Sequence, residues 1–215
     1  MSERESLLES ALAGAAEGLR TCFAEPRPGR PIPTKAPRGS LEPQMSSAER
    51  GHSIALMRVN HAGEVAAQAL YNGQALFARS TETLAHLLAA AEEEHDHLAW
   101  CAQRLDELGG KPSRLTPLWY AGGYVIGALA GLGGDERSHG FIEETEIQVE
   151  AHLADHLNKL PHCDIRSRAI LEQMAADESR HGSEAAALGA VPVPDLARGL
   201  MNLGGSILRQ LAQVL

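Results

Sequence analysis

An all-α fold is predicted for the 215-residue sequence: a four-helix bundle with a long hydrophobic crossover and an additional C-terminal amphipathic helix. Three observations predict it. Apolar residues make up 44% but aromatics only 4%, so the apolar content is mostly Ala, Leu and Gly, which favours helix over sheet. No sustained period-two alternation occurs. Apolar residues instead recur every three or four positions between clear start and stop signals.

Taken in order, residues 2–24 fit a short amphipathic helix. Six prolines between 26 and 43, with Arg27, Arg30, Lys35 and Arg38 among them, forbid regular helix there. Residues 1–45 therefore read as an N-terminal helix and Pro-rich linker, and 46–215 as the folded domain. Ser46-x-x-Glu49 has the spacing of a capping box, and the next proline is Pro112. Two helices fit between them, about 47–78 and about 82–108, the second ending at Gly109-Gly110. Pro117 to Gly134 has no charged residue and contains six glycines. A third bundle helix spans about 135–160 and stops at Pro161, and a fourth runs from an N-cap at Asp164 to near Gly189. Asp195 caps a last helix whose Leu196, Leu200, Leu203, Ile207, Leu211 and Leu215 share a face.

Charge narrows the function. The 19 basic and 28 acidic residues leave a net charge of −9, the wrong sign for tracking a phosphate backbone, so nucleic acid is not an expected partner. Cys22, Cys101 and Cys163 are odd in number and far apart, which gives neither a disulfide framework nor a CxxC knuckle and suits a reducing compartment. Glu3, Glu5, Glu9 and Glu17 make the start too acidic for a secretory signal or transit peptide.

The chemistry lies in acids and histidines placed where helices turn their apolar side, a position in which an unpaired carboxylate costs several kcal/mol. Leu87, Ala91, Leu98, Cys101, Leu105 and Leu108 all fall within about 60° of Glu94 on a helical wheel, and His97 faces nearly the same way. The overlapping pair Glu92 and His95 is set aside, because Glu92 points away from that stripe. Glu178 and His181 repeat the arrangement beside Leu171, Met174, Ala175 and Ala185. Glu64 lies among Met57, Tyr71 and Ala75, and Glu146 among Ile142, Val149, Leu153 and Leu157. The interval from Glu64 to Glu94 is 30 residues and from Glu146 to Glu178 it is 32, so the chain reads as two helical hairpins of one plan. A Glu from each of two helices and a Glu-x-x-His from each of the others is the ligand pattern of ferritin-like di-iron and di-manganese bundles. Two divalent cations neutralise four converging carboxylates, and hard oxygen donors with two imidazoles suit iron or manganese better than zinc.

The segments Arg58-Val-Asn-His-Ala-Gly-Glu64, Glu94-His-Asp-His97-Leu, Glu143-Glu-Thr-Glu146 and Asp177-Glu178-Ser-Arg-His181 together resemble the demethoxyubiquinone hydroxylase family of ubiquinone biosynthesis, over about residues 46–215. The resemblance implies that Glu64, Glu94, His97, Glu146, Glu178 and His181 ligate two iron ions, with Glu94 and Glu178 as bridges. It also implies a monooxygenase that uses O₂ to hydroxylate the ring of a polyprenylated demethoxy ubiquinol. The reductant is either NADH or the quinol itself, and no GxGxxG fingerprint follows a strand.

A polyprenyl substrate resides in the bilayer, which implies a peripheral protein of the membrane surface, on the cytoplasmic face of the cell membrane in a bacterium. Residues 117–134, with Trp119, Tyr120 and Tyr124 near one end, either dip into one leaflet or form a buried crossover in which Gly123, Gly127 and Gly131 admit a neighbouring helix. The last helix either anchors as well or completes the core. Partners in a ubiquinone-synthesis complex or a second copy of the chain fit the same setting. His61 and Tyr71 are expected to support ligands, and His152 and His156 to lie on the surface. Two other functions fit parts of the pattern: an iron oxidase or peroxidase of the ferritin or rubrerythrin kind, and a non-catalytic membrane-surface scaffold of the quinone-synthesis complex. Against the first, the chain has no rubredoxin-like CxxC pair.

Overall fold

The computed structural model describes residues 3–34 and 44–215, and every regular element among them is a helix. In order these are α1 (Glu3–Phe23), α2 (Ser47–Ala75), α3 (Thr81–Leu108), α4 (Thr116–Leu132), α5 (Asp135–Lys159), α6 (Ile165–Ala187) and α7 (Asp195–Val214). Part of the expected Pro-rich linker, including Pro37 and Pro43, lies outside the described residues.

Local chemistry explains the boundaries. Ser46 and Glu49 form the full capping box at the start of α2: Glu49 N donates to Ser46 Oγ, and Ser46 N donates to Glu49 Oε2 at 2.8 Å. Ser80 caps α3, which ends where Gly109 takes a left-handed φ of 75°. Asp164 caps α6 by accepting from Ser167 N at 3.0 Å. The expected first bundle helix ends about three residues early, since Phe77 N bonds Gln74 O and tightens the last turn.

The hairpins α2–α3 and α5–α6 pack into a ferritin-like four-helix bundle. Buried Arg104 on α3 donates to Asp164 at 2.8 Å and to Ser167 at 2.9 Å, locking the two hairpins at the α6 cap. Near the opposite end of α3, Arg79 N and Ser80 N donate to Asp135 at the start of α5, each at 2.9 Å. One apolar cluster contains Leu56, Met57, Trp100, Leu105, Leu153, Ile170 and Met174; a second contains Tyr71, Leu87, Ala91, Ile142 and Ala185. Along α2, α3, α5 and α6 alike, the acids and histidines singled out above fall between residues of these two clusters. The core is thus two apolar layers with one polar layer between.

The glycine-rich crossover is the helix α4, and it lies along α2. Gly123, Gly127 and Gly131 are buried and face α2 backbone: a Cβ at Gly123 would lie 2.6 Å from Ala66 O, one at Gly131 2.8 Å from Gln74 O, and one at Gly127 closer still to Leu70 O. The opposite side of α4 exposes Leu118, Val125, Ile126, Leu129 and Leu132. The crossover alternative holds on the glycine side, which packs on α2, but the helix is not fully buried, because its other side is an exposed apolar face. For α7 the core-completing alternative is largely overturned. Ala212 and Leu208 meet Val59 and Ala62, but Leu196, Leu200, Leu203 and Ile207 are exposed. No helix among the described residues is long and apolar enough to cross a membrane.

Gly127→Ala is expected to lower stability by about 1–3 kcal/mol, because overpacking against a helix backbone has no flexible neighbour to absorb it. Gly122→Ala, whose Cβ would meet nothing within 4 Å, should be neutral or stabilising. Paired urea titrations check the contrast.

Candidate metal centre

The six acids and histidines on the four bundle helices converge in the middle layer. His97 Nδ1 lies 3.2 Å from Glu178 Oε1, 3.4 Å from Glu94 Oε2 and 3.5 Å from Glu64 Oε2. His181 Nδ1 lies 3.2 Å from Glu178 Oε2 and 3.5 Å from Glu94 Oε1. Glu94 and Glu178 thus each turn one oxygen toward each imidazole. Two groups among the described residues have ligand atoms within 4.8 Å of one another: Glu64, Glu94, His97 and Glu178, and Glu94, Glu146, Glu178 and His181. They share Glu94 and Glu178, and all six residues are buried.

The electrostatics demand a counter-charge. Burial pushes the carboxyls of Glu64 and Glu146 well above the usual range, with the neighbouring carboxylates adding to it. Burial also pushes Glu94 up, but the imidazoles of His181 and His97 more than reverse this and hold it well below the ordinary carboxylate value. Burial opposes a charge on His181, yet the facing Glu178 and Glu94 raise it to about 11; His97 is raised well above normal in the same way, with Asp177 the leading partner. Even so, both Glu94 oxygens, His97 Nδ1 and His181 Nε2 are buried without a hydrogen-bond partner. The orphaned oxygens of Glu94 and the orphaned His97 Nδ1 that faces them fit divalent cations, whose binding displaces the protons held here. The donors are oxygen and imidazole with no thiolate in either group, which fits iron or manganese.

Surrounding residues orient these groups. Tyr71 Oη donates to Glu146 Oε1 in a short hydrogen bond, and the Tyr71 ring meets His181 edge-on at 6.3 Å. Burial beside Glu146 pushes the Tyr71 hydroxyl well up, so it stays a donor. A cavity of about 10 Å³, lined in part by Leu70, Tyr71, Gln74 and Glu146, reaches this edge of the site between α2 and α5; it holds roughly one water. Helical-wheel reasoning did not find the outer partners of the histidines. His97 Nε2 donates to Asp177 at 3.0 Å, and His181 Nε2 lies 3.5 Å from Glu93. Each acid immediately precedes the glutamate of a Glu-x-x-His and faces the histidine of the other helix, so the signal in sequence was an extra acid repeated one position earlier.

Other histidines depart from expectation. His156 is buried, with Nδ1 3.0 Å from Asn60 Oδ1 and its ring 3.9 Å from that of half-buried His152. The surface reading fails because this side of α5 packs on α2. Burial lowers His156 to about 3 and His152 to about 4. His61 is buried too, with no hydrogen bond to Nδ1, and burial lowers it to about 4. Cys101 is buried in the core, and burial raises its thiol well above normal, as an inert cysteine requires.

A bundle with two adjoining carboxylate–imidazole groups that share two glutamates has the architecture of the dinuclear metal-carboxylate proteins. Within that class the chain belongs to one family: the model for "Ubiquinone biosynthesis protein COQ7" matches residues 52–209. It is 50% identical to a 3-demethoxyubiquinol 3-hydroxylase of Xanthomonas oryzae pv. oryzae over 98% of this chain and 96% of that protein. Proteins of the same name from a Polaromonas species and from Variovorax paradoxus are also 50% identical, each covered over 98% of its length by 97% and 96% of this chain.

His61 supplies a test of the buried histidines. Its folded pKa of about 4 lies below the unfolded 6.5, so the unfolded state binds more protons and stability is lost as pH falls from 6.5 toward 4. The loss from this residue is roughly 3 kcal/mol. In metal-free protein, His61→Gln should flatten the pH dependence of urea unfolding by about that amount; an unchanged slope would contradict the assignment.

Proposed function

We propose that the protein is a di-iron monooxygenase that hydroxylates the ring of a demethoxy ubiquinol with O₂ during ubiquinone biosynthesis. The observation that carries the reading is the pair of buried groups sharing Glu94 and Glu178, in a chain half identical to proteins named 3-demethoxyubiquinol 3-hydroxylase. In this reading Glu64, Glu94, His97, Glu146, Glu178 and His181 hold two irons, with Glu94 and Glu178 between them. Iron held there would supply redox chemistry and open coordination positions that no side chain offers, with the two electrons of each turnover coming from NADH or from the quinol. The chain's own contribution is positional. Apolar layers on either side of the site exclude water, and Tyr71 holds Glu146 by its hydroxyl proton. Residues 46–215 form the hydroxylase domain, and 1–45 are the helix and linker that precede it.

The polyprenyl tail directs the protein to a membrane surface, on the cytoplasmic face in a bacterial cell. Supporting this, the exposed faces of α4 and α7 are rich in large apolar residues, and both helices reach Trp119 and Leu208 around the Val59–Ala62 cluster. Gly127 and Gly131 of α4 also abut Leu70 and Gln74, two of the α2 residues that line the small cavity at Glu146. A tail lying along α4 would therefore end close to the site.

Iron-loaded protein, reduced anaerobically and given a demethoxy ubiquinol analogue and ¹⁸O₂, is expected to yield ring-hydroxylated product carrying ¹⁸O by mass spectrometry, and Glu178→Ala none. Oxygen uptake with the analogue recovered unchanged would indicate an iron oxidase, and unimpaired ubiquinone synthesis in cells carrying Glu178→Ala would indicate a scaffold. In flotation with vesicles containing anionic phospholipid, Ile126→Asp with Leu129→Asp should reduce binding several-fold. Both residues are exposed, so the fold should tolerate the change, and equal flotation would remove the membrane role of α4.

A further inference from the structure

Two cations tie together the outer partners of both histidines: Arg180 of α6 donates to Glu93 in a short bond and to Asp177 Oδ1 at 3.3 Å, and a second, Arg30, comes from far outside the bundle. Arg30 follows α1, beyond the 52–209 segment that defines the family. Its Nε donates to Asp96 Oδ2 on α3 at 2.7 Å, and its Nη1 donates to Asp177 Oδ2 on α6 at 3.0 Å. Nη1 is also 3.7 Å from Glu93 Oε2, the carboxylate that faces His181. The guanidinium carbon lies 4.8 Å over the Trp100 ring, and Trp100 Nε1 donates back to Arg30 O at 3.3 Å. The segment's own backbone is fixed independently: Gly29 N and Arg30 N donate to Asp96 Oδ1 at 2.6 and 3.3 Å, and Ile32 packs against the cluster that contains Trp100.

Asp177 is the acceptor for His97 Nε2, the ring nitrogen opposite the one that faces Glu64, Glu94 and Glu178. An acceptor of this kind fixes the tautomer and the ring plane of a ligating histidine, provided that it is itself held. The oxygen of Asp177 that takes the His97 proton is the one that Arg30 Nη1 also grips. A planar guanidinium can span acids on two helices at once, which a single ammonium does poorly.

We propose that Arg30 is a positioning residue for the metal centre: by bridging Asp96 and Asp177 it holds Asp177 against His97 and so sets the aim of His97 Nδ1. The proposal rests on the di-metal reading above. The rival is a plain staple, in which Arg30 fastens the N-terminal segment and does nothing to the site.

Co(II) titrated into the metal-free full chain, with a competing chelator and the d–d absorption recorded, separates the two. Arg30→Ala is expected to weaken one of two bound Co(II) ions about 10–100-fold and to alter its absorption bands, with free guanidinium at non-denaturing concentration restoring both. Arg30→Lys should recover little of the loss. A lowered melting temperature with both affinities and the spectrum unchanged would overturn the proposal and leave the staple. Arg30→Gln serves if Arg30→Ala does not fold, since the backbone bonds of Gly29 and Arg30 to Asp96 survive it, and the same two outcomes decide. Wild-type protein that binds fewer than two Co(II) ions would instead sink the di-metal reading itself.

Discussion

Burying four carboxylates in the middle of a small helical bundle is the constraint to which the rest of the structure answers. Unpaired, each would cost several kcal/mol in the interior, and together they repel. Without a bound ion, two imidazoles and a few trapped protons relieve part of that, as the raised Glu64, Glu146, His97 and His181 and the lowered Glu94 record. The relief is incomplete, because both oxygens of Glu94 stay without a hydrogen bond. Apolar layers above and below keep water from finishing the task. A buried cluster of this kind marks a functional site, and divalent cations would supply the counter-charge that the imidazoles provide only in part.

Rigidity around the site follows from the same need. His97 is held from behind by Asp177 of the opposite helix, and His181 turns its outer nitrogen to Glu93, so α3 and α6 orient each other's ligand candidates rather than their own. Arg180 reinforces this by donating to Glu93 in a short bond and to Asp177 at 3.3 Å. On the far side of α2, the glycine face of α4 brings that helix against the α2 backbone while turning its leucines outward. Close approach and an exposed apolar face are two aspects of one helix: small residues on one side, large ones on the other.

Much of this was legible in the sequence. Helix ends were readable because Ser46, Asp164 and Gly109 act through short-range bonds to their own neighbours. Glu94 and Glu178 stood out because a carboxylate among leucines contradicts its surroundings, and rotation about a single helix axis reveals that. The same reasoning could not find Asp177 or Glu93, since each faces away from its own helix's stripe and gains its meaning only from the facing helix. Arg30 was hidden by its separation of 66 positions from Asp96 and by a run of prolines that conveys no three-dimensional address. His156 was misjudged because its angle from Glu146 excludes it from the site without saying that Asn60 of α2 covers it.

The central claim is that two cations lie in this polar layer, and an anomalous difference map at the iron edge from crystals of iron-loaded protein tests it most directly. Two peaks about 3.5–4 Å apart are expected, one beside Glu64 and His97, the other beside Glu146 and His181, with Glu94 and Glu178 reaching both. A single peak, or peaks away from these six side chains, would contradict the dinuclear centre.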